Sequence, residues 1–161
     1  MMEQQEASTD AVMTRIGQAI MLLHGGDREE ARNRFGVIWE EIGEDGDALH
    51  RCTLAHYMAD TQDDPGDELA WDLRALTAAE GLFGGRVAEH RDSLAVRAFY
   101  PSLHLNLAAD YVKLQRPDAA RVHLDRARRA SEVLAVDGVD DGYGGGVRAA
   151  IGRLERRLRE L

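Results

Sequence analysis

Apolar residues recur along the chain at steps of three and four, and glycine-rich breaks cut that rhythm into segments. Val12, Met13, Ile16, Ile20 and Leu23 predict a first helix, preceded by Ser8, Thr9 and Asp10, residue types that cap helix N-termini. Gly25-Gly26-Asp27 ends it, and Ala31, Phe35, Ile38, Trp39 and Ile42 predict a second helix. So short a connection makes the two antiparallel neighbours. A third helix is predicted from about Asp47 to Thr61. The turn Gln62 to Gly66 follows, then a fourth helix carrying Leu69, Leu73 and Leu76.

Gly81, Gly84 and Gly85 close the fourth helix; Val87, Leu94, Val96 and Phe99 then lead into Pro101 and the apolar Leu103, Leu105, Leu107, Val112 and Leu114. This stretch reads as one long kinked helix or two. Proline sits in a first turn without losing a bond, which favours a break or kink at Pro101. Pro117 opens a further helix through Val122, Leu124, Ala127, Val133 and Leu134. The run DGVDDGYGGG predicts a flexible linker, and Val147, Ile151, Leu154, Leu158 and Leu161 predict a closing amphipathic helix with an arginine-rich opposite side. The chain thus divides into a flexible N-terminus (1–9), a helical-hairpin domain (10–136), a Gly-rich linker (137–146) and a C-terminal helix (147–161).

Composition agrees with a folded helical protein. Hydrophobic residues make up 44% and charged residues 30% of the 161, prolines number three, and Ala, Leu and Arg dominate. The formal net charge of −9 disfavours nucleic acid and membrane surfaces as partners, because phosphate repels an acidic surface. A lone cysteine, Cys52, and an acidic N-terminus without a signal-peptide pattern point to the cytoplasm. The single lysine, Lys113, amid many arginines reads as the coding bias of a GC-rich bacterial genome.

His104, Leu107, Ala108 and Tyr111, followed by Ala120, Leu124 and Ala127, keep the large–Leu–small–Tyr and small–large–small spacing of a two-helix repeat. Arg51, Leu54, Ala55 and Met58 repeat the first half, so that LAHYM lies over LAADY. Ala19, Leu22, Ala31, Phe35 and Ile38 give a looser copy near the start. On these residues, over roughly 10 to 135, the chain resembles the tetratricopeptide repeat, with His104 in place of the family tryptophan. The steps between matching alanines are unequal: Ala19 to Ala55 is close to the family period of about 34 residues, whereas Ala55 to Ala108 is lengthened around Phe83 to Tyr100. The expected fold is all-α, antiparallel helix hairpins stacked as a short α-solenoid of six to seven helices.

The resemblance implies that the first helices of successive hairpins line a concave recognition face. Its inward positions are Met13, Ile16, Ile20, Leu23 and His24, then Leu49, Cys52, His56 and Ala59, then Leu105, Ala109 and Val112. Most are apolar, so the implied function is a non-enzymatic interaction module that binds an apolar or amphipathic peptide segment. The alternative is a regulatory or sensor protein holding a small apolar ligand there, fixed by His24, Cys52 and His56. Family members that grip a terminal carboxylate use paired lysine and asparagine or arginine residues; Asn106 and Lys113 are isolated candidates here.

Catalysis finds little support. Cys52 and His56 share a helix face at a spacing of four, but two ligands are not a metal site, and a thiol catalyst also needs oxyanion donors. The acidic stretch Asp63, Asp64, Asp67 and Glu68 lacks the ligand alternation of a calcium loop. No cofactor motif is present, so no catalytic residue, metal or cofactor is expected. The C-terminal helix is expected first to cap the stack, second to pair with another copy as a homodimer, and third to fill the groove.

Overall fold

The computed structural model describes the backbone of residues 2–84, 90–136 and 142–161, and the side chains of 11–81, 99–133 and 146–161. Seven helices are described: α1 Met2–His24, α2 Arg28–Ile42, α3 Ala48–Asp60, α4 Pro65–Gly84, α5 His90–Lys113, α6 Pro117–Val136 and α7 Gly142–Arg159. The fold is the all-α stack of hairpins that the apolar rhythm predicts. Each of the pairs α1–α2, α3–α4 and α5–α6 packs as a hairpin; α5 packs back on α4, and α7 on α6 and α5. The first helices α1, α3 and α5 also touch in succession.

Two boundaries differ from the sequence reading, and the structure decides between its two alternatives for α5. α1 begins at Met2 rather than near Asp10, because Glu3, Gln4, Gln5, Glu6 and Ala7 are good helix formers and continue the turn backwards. α5 is a single helix that carries Pro101 inside it, where the ring costs one backbone hydrogen bond. α7 starts at Gly142 instead of Val147, while the rest of the expected linker, residues 137–141, lies outside the described residues.

Small residues set the helix crossings. Ala19, Ala55 and Ala108, the equivalent first-helix positions, are fully buried, as are Ala31, Ala120 and Ala127 on the second helices. Around them form three apolar clusters. Ile16, Phe35, Ile38, Leu54 and Met58 fill the space between the first hairpin and α3. Cys52, Ala55, Ala75, Ala79 and Leu103 fill the α3–α4–α5 joint, with Trp39 edge-on to Trp71 at its margin, 5.2 Å between ring centres. Leu124, Val147, Ile151 and Leu158 tie α7 to α6. Of the apolar residues that mark these helices in the sequence, Val122 and Val133 of α6 and Leu73 of α4 are exposed.

The first and third hairpins share their turns in detail. At the end of α1, Gly26 is left-handed (φ 92°), the Asp27 amide donates to the Leu22 carbonyl at 2.9 Å, and the Gly26 amide donates to Leu23 at 3.2 Å. At the end of α5, Gln115 takes the left-handed place (φ 60°), Arg116 donates to Tyr111 at 2.8 Å, and Gln115 donates to Val112 at 3.1 Å. Both are Schellman closures, which satisfy carbonyls that a helix end leaves bare.

The second helices also repeat a contact. Arg32 Nη1 donates to the Thr61 carbonyl at 3.3 Å, at the end of α3; Arg121 Nη2 donates to the Leu158 carbonyl at 3.4 Å, at the end of α7. Arg32 follows the buried Ala31, and Arg121 the equivalent Ala120. α7 therefore lies against α6 as α3 lies against α2, in the position of a fourth first helix. Arg28 adds to the first of these joints, its Nη2 donating to the Gln62 carbonyl at 2.7 Å and its Nη1 pairing with Asp63 at 2.6 Å.

Candidate functional site

The expected contact residues divide three ways in the structure. Ile16 and Cys52 are buried, Ile16 beneath Phe35 and Ile38, Cys52 against Ala75, Ala79 and Leu103, so neither offers surface to a partner. Their apolar spacing is that of the hairpin core, which has the same period as an exposed face. Leu105 and Val112 are half-buried, packed on the cluster that joins α5, α6 and α7. Leu49 is half-buried beside Trp39 and Trp71. What stays open on α1 is Met13 and His24, with Ile20 and Leu23 half-buried between them. The first-helix face is thus apolar along α1 and becomes polar where α3 meets α5.

Asn106 and His56, from α5 and α3, meet at that polar stretch: Asn106 Nδ2 lies 3.2 Å from His56 Nδ1. An amide nitrogen only donates, so His56 Nδ1 accepts and the imidazole proton sits on Nε2. Tyr57 and Phe99 meet the His56 ring edge-on, with centres 4.9 Å and 4.6 Å away. Burial holds the imidazole down to about 4, so it is neutral at physiological pH.

Beyond Asn106 on the same side of α5 lie Asp110 and Lys113. Lys113 Nζ pairs with Glu68 of α4 at 2.7 Å. Asp110 lies beside Asp72 of α4 and Glu68, inside an interface where Asp72 and Asp110 are only 3% and 2% exposed. Burial raises both aspartic acids, and for Asp110 the neighbouring carboxylates raise it further. Asp60, at the exposed end of α3, is also raised, first by desolvation and then by Glu68. Sequence reasoning passed over Asp72 and Asp110. The signal was present: Asp72 shares a helix face with the alanines three and seven residues on, and Asp110 with Leu107 and Leu103.

A second polar cluster lies between α5 and α6. His104, in the place of the family tryptophan, is buried with its Nδ1 3.0 Å from Nδ1 of His123. Tyr111 stacks on His123 at 5.4 Å, and Tyr100 meets His104 edge-on at 4.6 Å. Burial lowers His104 to about 4, with His123 and Arg126 adding to the effect.

The chemistry of reaction is weakly supplied. The Cys52 thiol is pushed up to about 12 by desolvation, so it carries no nucleophilic thiolate at neutral pH. Among the described residues no group of three or more His, Cys, Asp or Glu side chains is arranged to hold a metal ion. No described helix is long and apolar enough to cross a membrane.

The family model for the tetratricopeptide repeat matches residues 12–35 and 101–126, which are the turns and alanine crossings shared by the first and third hairpins. No curated protein matches the chain, and no solved structure does. Such repeats typically form non-enzymatic interaction modules. In its first and third hairpins the chain is thus similar to the tetratricopeptide repeat, and repeats of this type generally mediate protein–protein interaction.

Proposed function

We propose that the chain is a non-enzymatic interaction module which docks an apolar or amphipathic segment of a partner protein along α1 and the adjoining part of α3. The observation that carries this reading is the exposure of α1. Met13 is 39% and Met21 74% exposed, and Met13, Gly17, Ile20 and His24 follow one another at steps of three and four along one face. Methionine suits such a surface because its unbranched thioether adapts to differently shaped partners. Met13, Ile20 and Leu23 are the apolar contacts in this reading, with Met21 flanking them and His24 as a polar contact at the end of α1, and Leu49 and His56 mark its border on α3. Ile16, Cys52, Leu105 and Val112 have no part in it.

The test compares partner recovery by the wild-type chain, a Met13→Glu/Met21→Glu variant and a Val133→Glu control, with helicity and thermal unfolding followed in parallel. Recovery lost only in the α1 variant, with folding unchanged, supports the reading. Equal recovery by all three removes α1 as the contact face.

A further inference from the structure

Asp110 lies beside two other carboxyl groups, those of Asp72 and Glu68 of α4, with Asp110 and Asp72 both buried between the helices. Oδ1 of Asp72 and Oδ2 of Asp110 have no donor among the described residues. Three ionised carboxylates beside the single ammonium of Lys113 are an arrangement that a dry helix interface does not tolerate. One proton resolves it: a neutral Asp110 carboxyl donates where an ionised one would repel.

We propose that a proton held on Asp110 and shared with Asp72 fastens α5 to the second hairpin, so that this joint is a base-sensitive hinge within the stack. The groups around it are Asp60 from α3, Glu68 from α4 and Lys113 from α5, with His24 of α1 and Arg28 of α2 reaching Asp60 electrostatically. His56 of α3 lies beside Asn106, one turn from Asp110. On the opposite side of α5, His104 meets His123 and Arg126 of α6 in a separate cluster.

The sign follows from linkage. Both aspartic acids are raised in the folded chain, so their contribution is fully present at acid pH and is lost as pH rises toward and through the folded values. His56, His104 and His123 are lowered and stay neutral above pH 7, and Cys52, at about 12, penalises the folded chain only above the ordinary thiol range. Between pH 7 and 9 the carboxyl pair therefore dominates.

Urea unfolding of the full chain across that interval tests the hinge. For the wild type the unfolding constant rises by up to about tenfold per pH unit, the limit for one proton released on unfolding. In Asp110→Asn, whose amide donates the same bonds without titrating, the rise disappears. Carbon-13 NMR of the wild type provides a readout independent of that variant's folding, with the Asp110 carboxyl carbon still at its protonated position at pH 7. Hydrogen exchange at pH 9 is faster in α5 of the wild type than in α5 of Asp110→Asn, and equal in α1 and α2. A level profile, a slope that survives Asp110→Asn, an Asp110 carbon that titrates below pH 5, or a loss of protection spread evenly over all helices overturns the proposal.

Discussion

Asn106 fixes the tautomer of His56: its amide donates to Nδ1 at 3.2 Å across the α3–α5 joint, leaving the ring proton on Nε2. The contact joins the first helices of two successive hairpins through a half-buried polar pair, and removing one partner strands the other. Asn106→Ala is expected to lower stability by about 1–3 kcal/mol. Nitrogen-15 NMR is expected to show His56 Nδ1 unprotonated between pH 6 and 8; a protonated Nδ1 would refute the assignment.

The buried imidazoles make the chain sensitive to acid. His56 and His104 are both held down to about 4, first by desolvation. Their contribution is present above the unfolded value near 6.5 and is lost as pH falls through it toward 4. The aspartic pair acts in the opposite sense over the same interval, so the measurement is a difference. From pH 6.5 to 4, stability of the wild type relative to a His56→Gln/His104→Gln variant should fall. A constant difference between the two would show that these rings do not titrate against folding.

Gln115 and Gly26 occupy the same place in two equivalent closures, but only glycine adopts a left-handed conformation without steric cost. Gln115→Gly is expected to raise stability by about 0.5–1 kcal/mol, and Gly26→Ala to lower it by about 1 kcal/mol. Nothing lies within 4 Å of a Cβ at Gly26, so that loss would come from the backbone alone. Chemical denaturation of both variants decides it, and opposite signs are required.

Ile151 is buried where α7 lies on α6, near Ala120, Leu124 and Ala127. Ile151→Ala should cost about 2–4 kcal/mol, the usual range for a large-to-small core change. A cost below about 0.5 kcal/mol, the level of a surface substitution, would mean that α7 is not seated in solution. Light scattering on the same sample tests whether the helix also pairs with a second copy. Within one chain, Val147, Ile151 and Leu158 are already buried, leaving Leu161 exposed.

The helices, the alanine crossings and the apolar seam of α7 were legible because helix burial has a period that sequence preserves. Ala19, Ala55 and Ala108 mark equivalent crossings in all three hairpins, and all are fully buried. The contact face was less legible, since the same period describes a side chain facing a groove and one facing the next helix. Leu105 and Val112 show this: their positions match an open wall, yet they pack on the cluster that joins α5, α6 and α7. Asp72 and Asp110 were missed for the converse reason. A charged residue in a helix is ordinarily solvent-facing, and only the small or apolar residues above and below it on the same face indicate otherwise.

Arg32 and Arg121 address main-chain oxygens, at Thr61 and Leu158, rather than side chains. A carbonyl is offered by whatever residue stands there, so this kind of joint tolerates wide divergence in the helix that receives it. That explains how an arginine-rich helix with little likeness to α3 can take the same berth. It also suggests a rule for extending the stack: an added helix needs the right length to bring its last turn beneath the arginine, more than it needs any particular sequence.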